Sequence, residues 1–149
     1  MAQESESQSL GIMAQYVKDL SFENLSSAAQ PVSNDKQPQI DVQLKINISK
    51  GDQSDAFIVE LITKIEAKLE KPLFILELNY CGEFIVNGFS QEMLDPILYI
   101  ECPRLLFPFA RSIIAHVVSE GGFPPIYLAP VNFAELYQQQ LDSKNQTMQ

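Results

Sequence analysis

Two cysteines, one histidine and nineteen carboxylates are the residues of this 149-residue chain that could do chemistry. A thiol activated by an imidazole would make a nucleophile, and His116 with Cys81 or Cys102 is the one pairing available. Neither cysteine sits in a CxxC pair, and no local signature ties either one to His116. The histidine lies inside an apolar stretch, which suits a buried or interface imidazole better than a general base. Glu60, Glu66, Glu77 and Glu83 fall on strand surfaces, where a solvated charge is the default state of a carboxylate and acid–base work by two of them is the exception. No glycine-rich phosphate loop, HExxH, GxSxG or calcium-loop pattern is present. The potential metal ligands do not cluster, so no cofactor and no metal are expected. Chemistry is therefore a poor account of this sequence, and binding is the better one.

Net charge is −9, from 10 basic and 19 acidic side chains. Nucleic acid is a poor partner for such a chain, because binding it rests on neutralising phosphates. An anionic membrane surface is disfavoured for the same reason. A basic polypeptide would be attracted and steered, although acidity for solubility alone would look the same. Hydrophobic residues make up 46% of the chain and charged ones only 19%. Either the core is large or apolar surface is left for subunit contacts or a partner groove. The start, Met1-Ala2-Gln3-Glu4-Ser5-Glu6, has no basic or apolar region of a secretory signal. A cytoplasmic protein with reduced thiols is the expectation.

The elements follow from periodicity. Residues 1–9 and 142–149 are polar and are expected to be flexible tails around one domain over 10–141. Gly11 to Lys18 reads as a helical or irregular lead-in, Asp19 to Glu23 as a short strand, and residues 24–38 as a loop. Ile40, Val42, Leu44, Ile46 and Ile48 alternate with polar residues, as one half-buried strand does. Phe57, Val59, Leu61, Ile65 and Leu69 share the face of a second strand. Phe74, Leu76, Leu78, Tyr80, Phe84 and Val86 share that of a third, with Gly82 where a bulge would sit. Turns at 51–55 and 70–72 make the three an antiparallel meander. The third strand carries Ile75 beside Glu77 on its outward face, a small docking point or a scattered surface residue. Beyond Gly88 the period becomes helical. A short helix over 91–100 is interrupted at Pro96, Cys102-Pro103 breaks the chain, and Leu105 to Glu120 forms the main helix, ended by Gly121-Gly122. That helix is apolar nearly all round, so a second surface must bury it, either a neighbouring subunit or a loop folded over it. Asn132 caps a last helix.

Cys102-Pro103, Leu106-Phe107-Pro108-Phe109-Ala110-Arg111, Gly122-Phe123-Pro124 and Leu128-Ala129-Pro130-Val131-Asn132-Phe133, together with Lys18-Asp19-Leu20-Ser21-Phe22-Glu23, resemble in order the signature of the SecB protein-export chaperones. The similarity covers roughly residues 14–140. It implies an α+β fold, a four-stranded antiparallel sheet with two main helices on one face, assembling as a cytosolic homotetramer, a dimer of dimers. It also implies a function: ATP-independent holding of unfolded preproteins and their delivery to the SecA motor, met through that partner's zinc-bearing C-terminal tail. By resemblance the motor contacts are Asp19, Glu23, Ile75 and Glu77, with Ile75 standing where the family has leucine. The client groove draws on Phe22, Phe74, Tyr80, Phe84, Phe89 and Tyr99, some of which must be plain core. The helix between dimers would present Phe109, Arg111, Ile113, Ile114, His116 and Val117. Asn79-Tyr80-Cys81-Gly82-Glu83 lacks the doubled glycine of the family pattern. A dedicated chaperone for a single partner, such as a toxin-system component, is the alternative that the resemblance leaves.

Overall fold

Alternation of apolar and polar side chains over four long segments builds one antiparallel sheet. In the computed structural model, which describes residues 7–26 and 37–147, the strands are β1 (Ser9–Asn24), β2 (Gln39–Lys50), β3 (Ala56–Lys68) and β4 (Pro72–Asn87). Their spatial order is β1-β4-β3-β2. β2, β3 and β4 form the expected meander, and β1 pairs with β4. The loop expected over 24–38 lies mostly outside the described residues, as do the tail residues 1–6 and 148–149. All four strands send one row of side chains inward, beneath the helices, and the other outward.

β1 corrects the lead-in expected over Gly11 to Lys18: it is a single strand of 16 residues. Its pairing with β4 shifts between Ile12 and Ala14 and again between Val17 and Asp19. Met13 and Lys18 are thus the extra residues, and inward positions fall at Leu10, Ile12, Gln15, Val17, Leu20 and Phe22. Gly82 was the expected bulge, yet it stays in register with both Gln15 and Val59. Its role is space. A Cβ there would lie 2.6 Å from the Phe84 ring and 2.8 Å from Leu106 Cδ2, distances that no packed core tolerates.

The helical layer is more continuous than Pro96 and Pro103 suggest. Helix α1 (Gln91–Pro96) runs through a π turn at Ile97–Glu101 into α2 (Cys102–Glu120). Pro103 cannot donate to the turn before it and its ring would crowd the carbonyl there. The wider π turn ahead of it relieves both faults, so the chain does not break. At the other end, Phe123 N–H donates to Val118 O and Gly122 N–H to Ser119 O, with Gly122 at φ +96°. This is a Schellman stop. Asn132 accepts the Glu135 N–H at 3.1 Å and opens α3 (Phe133–Thr147). That helix runs past Leu141, where the sequence reading ended the domain.

Helix α2 lies across β4 and β3 and reaches β1. The core between helix and sheet contains Val59, Leu61, Ile65, Leu76, Leu78, Phe84, Leu106, Ile114 and Val118, all without solvent exposure. The inward rows of the two edge strands are covered least: on β2 Ile46 is buried, Ile40, Leu44 and Ile48 are half-buried and Val42 is 41% exposed, and on β1 Ile12, Val17 and Leu20 are exposed.

Candidate functional site

The outward face of the sheet gathers residues distant in sequence into cross-strand rows. One row spans all four strands: Asp41 opposes Glu66, Glu66 opposes Ile75, and Ile75 opposes Glu23. The next runs Gln43, Lys64, Glu77, Ser21, and the next Lys45, Ile62, Asn79, Asp19. Asp19, Glu23, Ile75 and Glu77 therefore share one face, as the sequence expects. The three carboxylates are exposed and Ile75 is half-buried among them. Two residues of this patch, Asp41 and Glu66, are not among the contacts that the resemblance implies. The signal was available, since their parity along each strand puts them outward, but only the register places them beside Ile75.

Further along the same face the charges are spent on each other. Lys18, lifted out of β1 by its bulge, reaches across β4 to Glu60 on β3. The Lys18 ammonium holds the Glu60 carboxyl below the ordinary carboxylate value, with help from Asn47 and Asn79. Cys81 lies in the same row as Glu60 and is fully buried, with its thiol 3.9 Å from Glu60 Oε1 and 3.6 Å from Asn79 Oδ1. Burial, then the nearby Glu60 charge, pushes that thiol up from 9.0 to about 11. Burial, then Glu101, pushes Cys102 up to about 12. A protonated, buried thiol is inert as a nucleophile.

A direct consequence can be measured. The rise from 9 to 11 cuts the Cys81 thiolate fraction about a hundredfold near neutral pH. Iodoacetamide at pH 8 is expected to leave both cysteines intact in the native protein and to label both rapidly in urea, read by mass spectrometry. Because both folded values lie above the unfolded one, the linked stability is present below about pH 9 and is lost as pH rises toward 11 and 12. Alkaline titration followed by circular dichroism should show it.

The six aromatic residues singled out for a client groove do not form one site. Phe22, Phe74 and Phe123 cluster where the end of β1 meets the end of α2, with centroids 5.4 Å apart for Phe22–Phe74 and 4.9 Å for Phe74–Phe123. Gly121 permits this: a Cβ there would stand 2.3 Å from the Phe22 ring. Asn24 reinforces the join by donating to Gly121 O at 3.0 Å. Phe22 is half-buried while Phe74 is 2% exposed. Tyr80 is buried under Phe109, stacked at 6.3 Å. Tyr99 stacks on Tyr137 at 5.2 Å, on the wall of a hollow of about 420 Å³ between β2 and the helices, lined also by Lys45, Asn47 and Asp95. Phe89 is half-buried against the core. Phe84 is core outright: it is sealed beneath Leu106, with no surface for a client.

Helix α2 buries one stripe and leaves another open. Ile114 belongs to the core and not to an outward contact, because it lies in the stripe Leu106–Ala110–Ile114–Val118 that faces the sheet. Ile113 and Val117 are half-buried, Arg111 and His116 exposed, and Phe109 is 47% exposed. Leu105, Phe109, Ser112 and His116 form the open stripe, at one residue per helical turn. The chain's own segment beyond α2 covers part of the helix: Arg111 Nε donates to Leu128 O at 2.9 Å, and its guanidinium stands 5.5 Å over the Tyr127 ring. Of the two covers offered by the sequence, the following segment is thus seen, and the stripe from Leu105 to His116 is left uncovered. Among the described residues no helix is long and apolar enough to cross a membrane, and no group of metal-binding side chains occurs.

The family model described as "Preprotein translocase subunit SecB" matches residues 3–144. This chain belongs to the SecB family. The "Protein-export protein SecB" of Xanthobacter autotrophicus is 44% identical over 142 residues, covering 95% of this chain and 90% of that one. That of Mesorhizobium japonicum is 47% identical over 135 residues, covering 89% and 80%. Among solved structures, a Mycobacterium tuberculosis SecB-like chaperone in complex with a ChAD peptide from the antitoxin HigA1 superposes with TM-score 0.66 over 82% of this chain and 90% of that one, at 13% identity. At that identity the likeness carries the fold alone. The 44–47% relatives carry the function: this protein is a protein-export chaperone of the Sec pathway. The dedicated single-partner alternative is not favoured.

Proposed function

We propose that this protein holds unfolded preproteins on its helical side and passes them to the SecA motor through its outward sheet face, as a cytosolic homotetramer. The observation that carries the reading is the separation of two surfaces by one sheet. Asp19, Glu23, Ile75 and Glu77 converge on the outward face, exposed and acidic around one apolar residue. Apolar surface left partly uncovered, at Val42 and its neighbours on β2 and at the half-buried Phe22 beside Phe74 and Phe123, lies on the inward side. Extended, apolar client segments gain by burying surface against the second. A cationic tail of the motor gains by charge and by a single apolar contact at the first.

Assembly fits two further uncovered surfaces. β1 is an edge strand among the described residues, and it exposes Ile12, Val17 and Leu20 at 43%, 42% and 39%. Exposed edges of this kind are covered in stable proteins. The open stripe of α2 is a separate surface. Two self-complementary interfaces per subunit generate a dimer of dimers, and four weak client surfaces then act on one long chain by avidity. No step in this cycle calls on a nucleotide.

The test is a preprotein diluted from denaturant into the purified protein without ATP, with its refolding followed by fluorescence. Arrest at equimolar tetramer, repeated with several unrelated clients, is the expected result. Refolding untouched by an excess would refute general holding.

A further inference from the structure

We propose that Lys64 is a built-in counter-ion of the outward docking face, and that the face extends beyond the four family positions to Glu66 and Asp41. This rests on the reading that a cationic segment of SecA docks there. Lys64 Nζ lies 3.3 Å from Glu66 Oε1 and 3.8 Å from Glu77 Oε1. It therefore sits between the two carboxylates that flank Ile75 on the β3 side and along β4. All three side chains are 40–52% exposed, so this bridge is open to solvent and to exchange.

The register explains why a counter-ion is placed there. Asp41, Glu66 and Glu23 lie in a single cross-strand row, with Ile75 between Glu66 and Glu23. Asp41 and Glu66 are directly opposite, and like charges so placed repel. Lys64, one row along and on the same face, relieves that repulsion in the free protein. Elsewhere on the face Lys18 answers Glu60 in a more enclosed pair, where the Glu60 side chain is only 13% exposed. The two lysines thus differ: one neutralises an enclosed carboxylate, the other stands in an open row where a partner's cation can take its place. A docking lysine or arginine would take over the Glu66 and Glu77 carboxylates and release Lys64 to water. Lys64 then sets the affinity by competing for the same carboxylates, and its competition weakens with salt along with the docking itself.

The experiment measures binding of full-length SecA to the intact chaperone by calorimetry, at low ionic strength and at about 0.5 M salt. Lys64→Gln is expected to tighten binding about three- to tenfold at low salt, the scale of exposed ion pairs, with the difference closing at high salt. Glu66→Gln is expected to weaken it by a similar factor, and Lys64→Arg to leave it as in the wild type. Arg104→Gln removes one positive charge on the helical side, where Arg104 pairs with Glu101, and controls for net charge. Tightening by Lys64→Gln and not by Arg104→Gln supports the proposal. If the wild type binds SecA and Lys64→Gln leaves affinity unchanged or lowers it, the counter-ion role is overturned and the docking face stands. If the wild type does not bind SecA, the docking reading falls and takes this one with it.

Discussion

Phe84→Ala is expected to lower stability by about 3–5 kcal/mol, the range for removing a buried aromatic ring. Phe84 is among the largest side chains in this protein with no solvent exposure. Its ring fills the space that Gly82 leaves open, and Leu106 on α2 closes over the same spot. Truncation would leave a cavity between sheet and helix that the rigid β4 ladder on either side cannot collapse into. Denaturant unfolding at fixed protein concentration, which holds any association between copies constant, would show the midpoint fall. Where the variant remains folded, arrest of client refolding should match the wild type. A loss below about 1 kcal/mol would mean that the ring is not core, and selective loss of client arrest would return Phe84 to the groove.

The contrast between Phe84 and Phe22 marks the limit of the sequence. Both are aromatic residues on inward strand positions, and period two puts them on the same face. What separates them is the position of α2, which covers the centre of β4 and leaves the end of β1 half open. A helix placed across a sheet is a tertiary fact that no local pattern encodes. The meander was legible because β2, β3 and β4 alternate cleanly through their paired lengths. β1 was not, because its inward residues fall at 10, 12, 15, 17, 20 and 22. A bulge in every fifth residue produces neither the period of a strand nor that of a helix. The shared outward face of Asp19, Glu23, Ile75 and Glu77, proposed above for docking, was named through resemblance. Asp41 and Glu66 needed the register, since nothing in the separation of 41 from 66 or 75 indicates that three strands align there. Helix α2 was read as apolar nearly all round, whereas Arg104, Arg111, Ser112 and His116 stand exposed on it. Which part the Leu128 segment covers and which stripe stays open depends on where the chain turns after Gly122, and no local pattern encodes that.

Glu77→Lys is expected to lower SecA affinity at least tenfold and to leave client arrest intact. Glu77 is 52% exposed and lies 3.8 Å from Lys64, in the row beside the one that holds Ile75. Charge reversal at this point does two things. It removes one of the carboxylates offered to a cationic partner, and it sets a second ammonium beside Lys64, so an attractive face becomes a repulsive one at its centre. The change is steepest at low salt and falls mainly on the association rate, as for exposed charges at a rim. Stability should shift little, since an exposed pair contributes at most about 1 kcal/mol. Client arrest should survive because successive side chains of β4 point to opposite sides: Leu76 and Leu78, the neighbours of Glu77, both face the core. Calorimetry with SecA and a refolding assay with a preprotein, run on the same preparation, separate the two surfaces. Unchanged SecA affinity would refute docking on this face. Loss of both activities together would show that the sheet does not insulate one surface from the other, and that holding and delivery share residues.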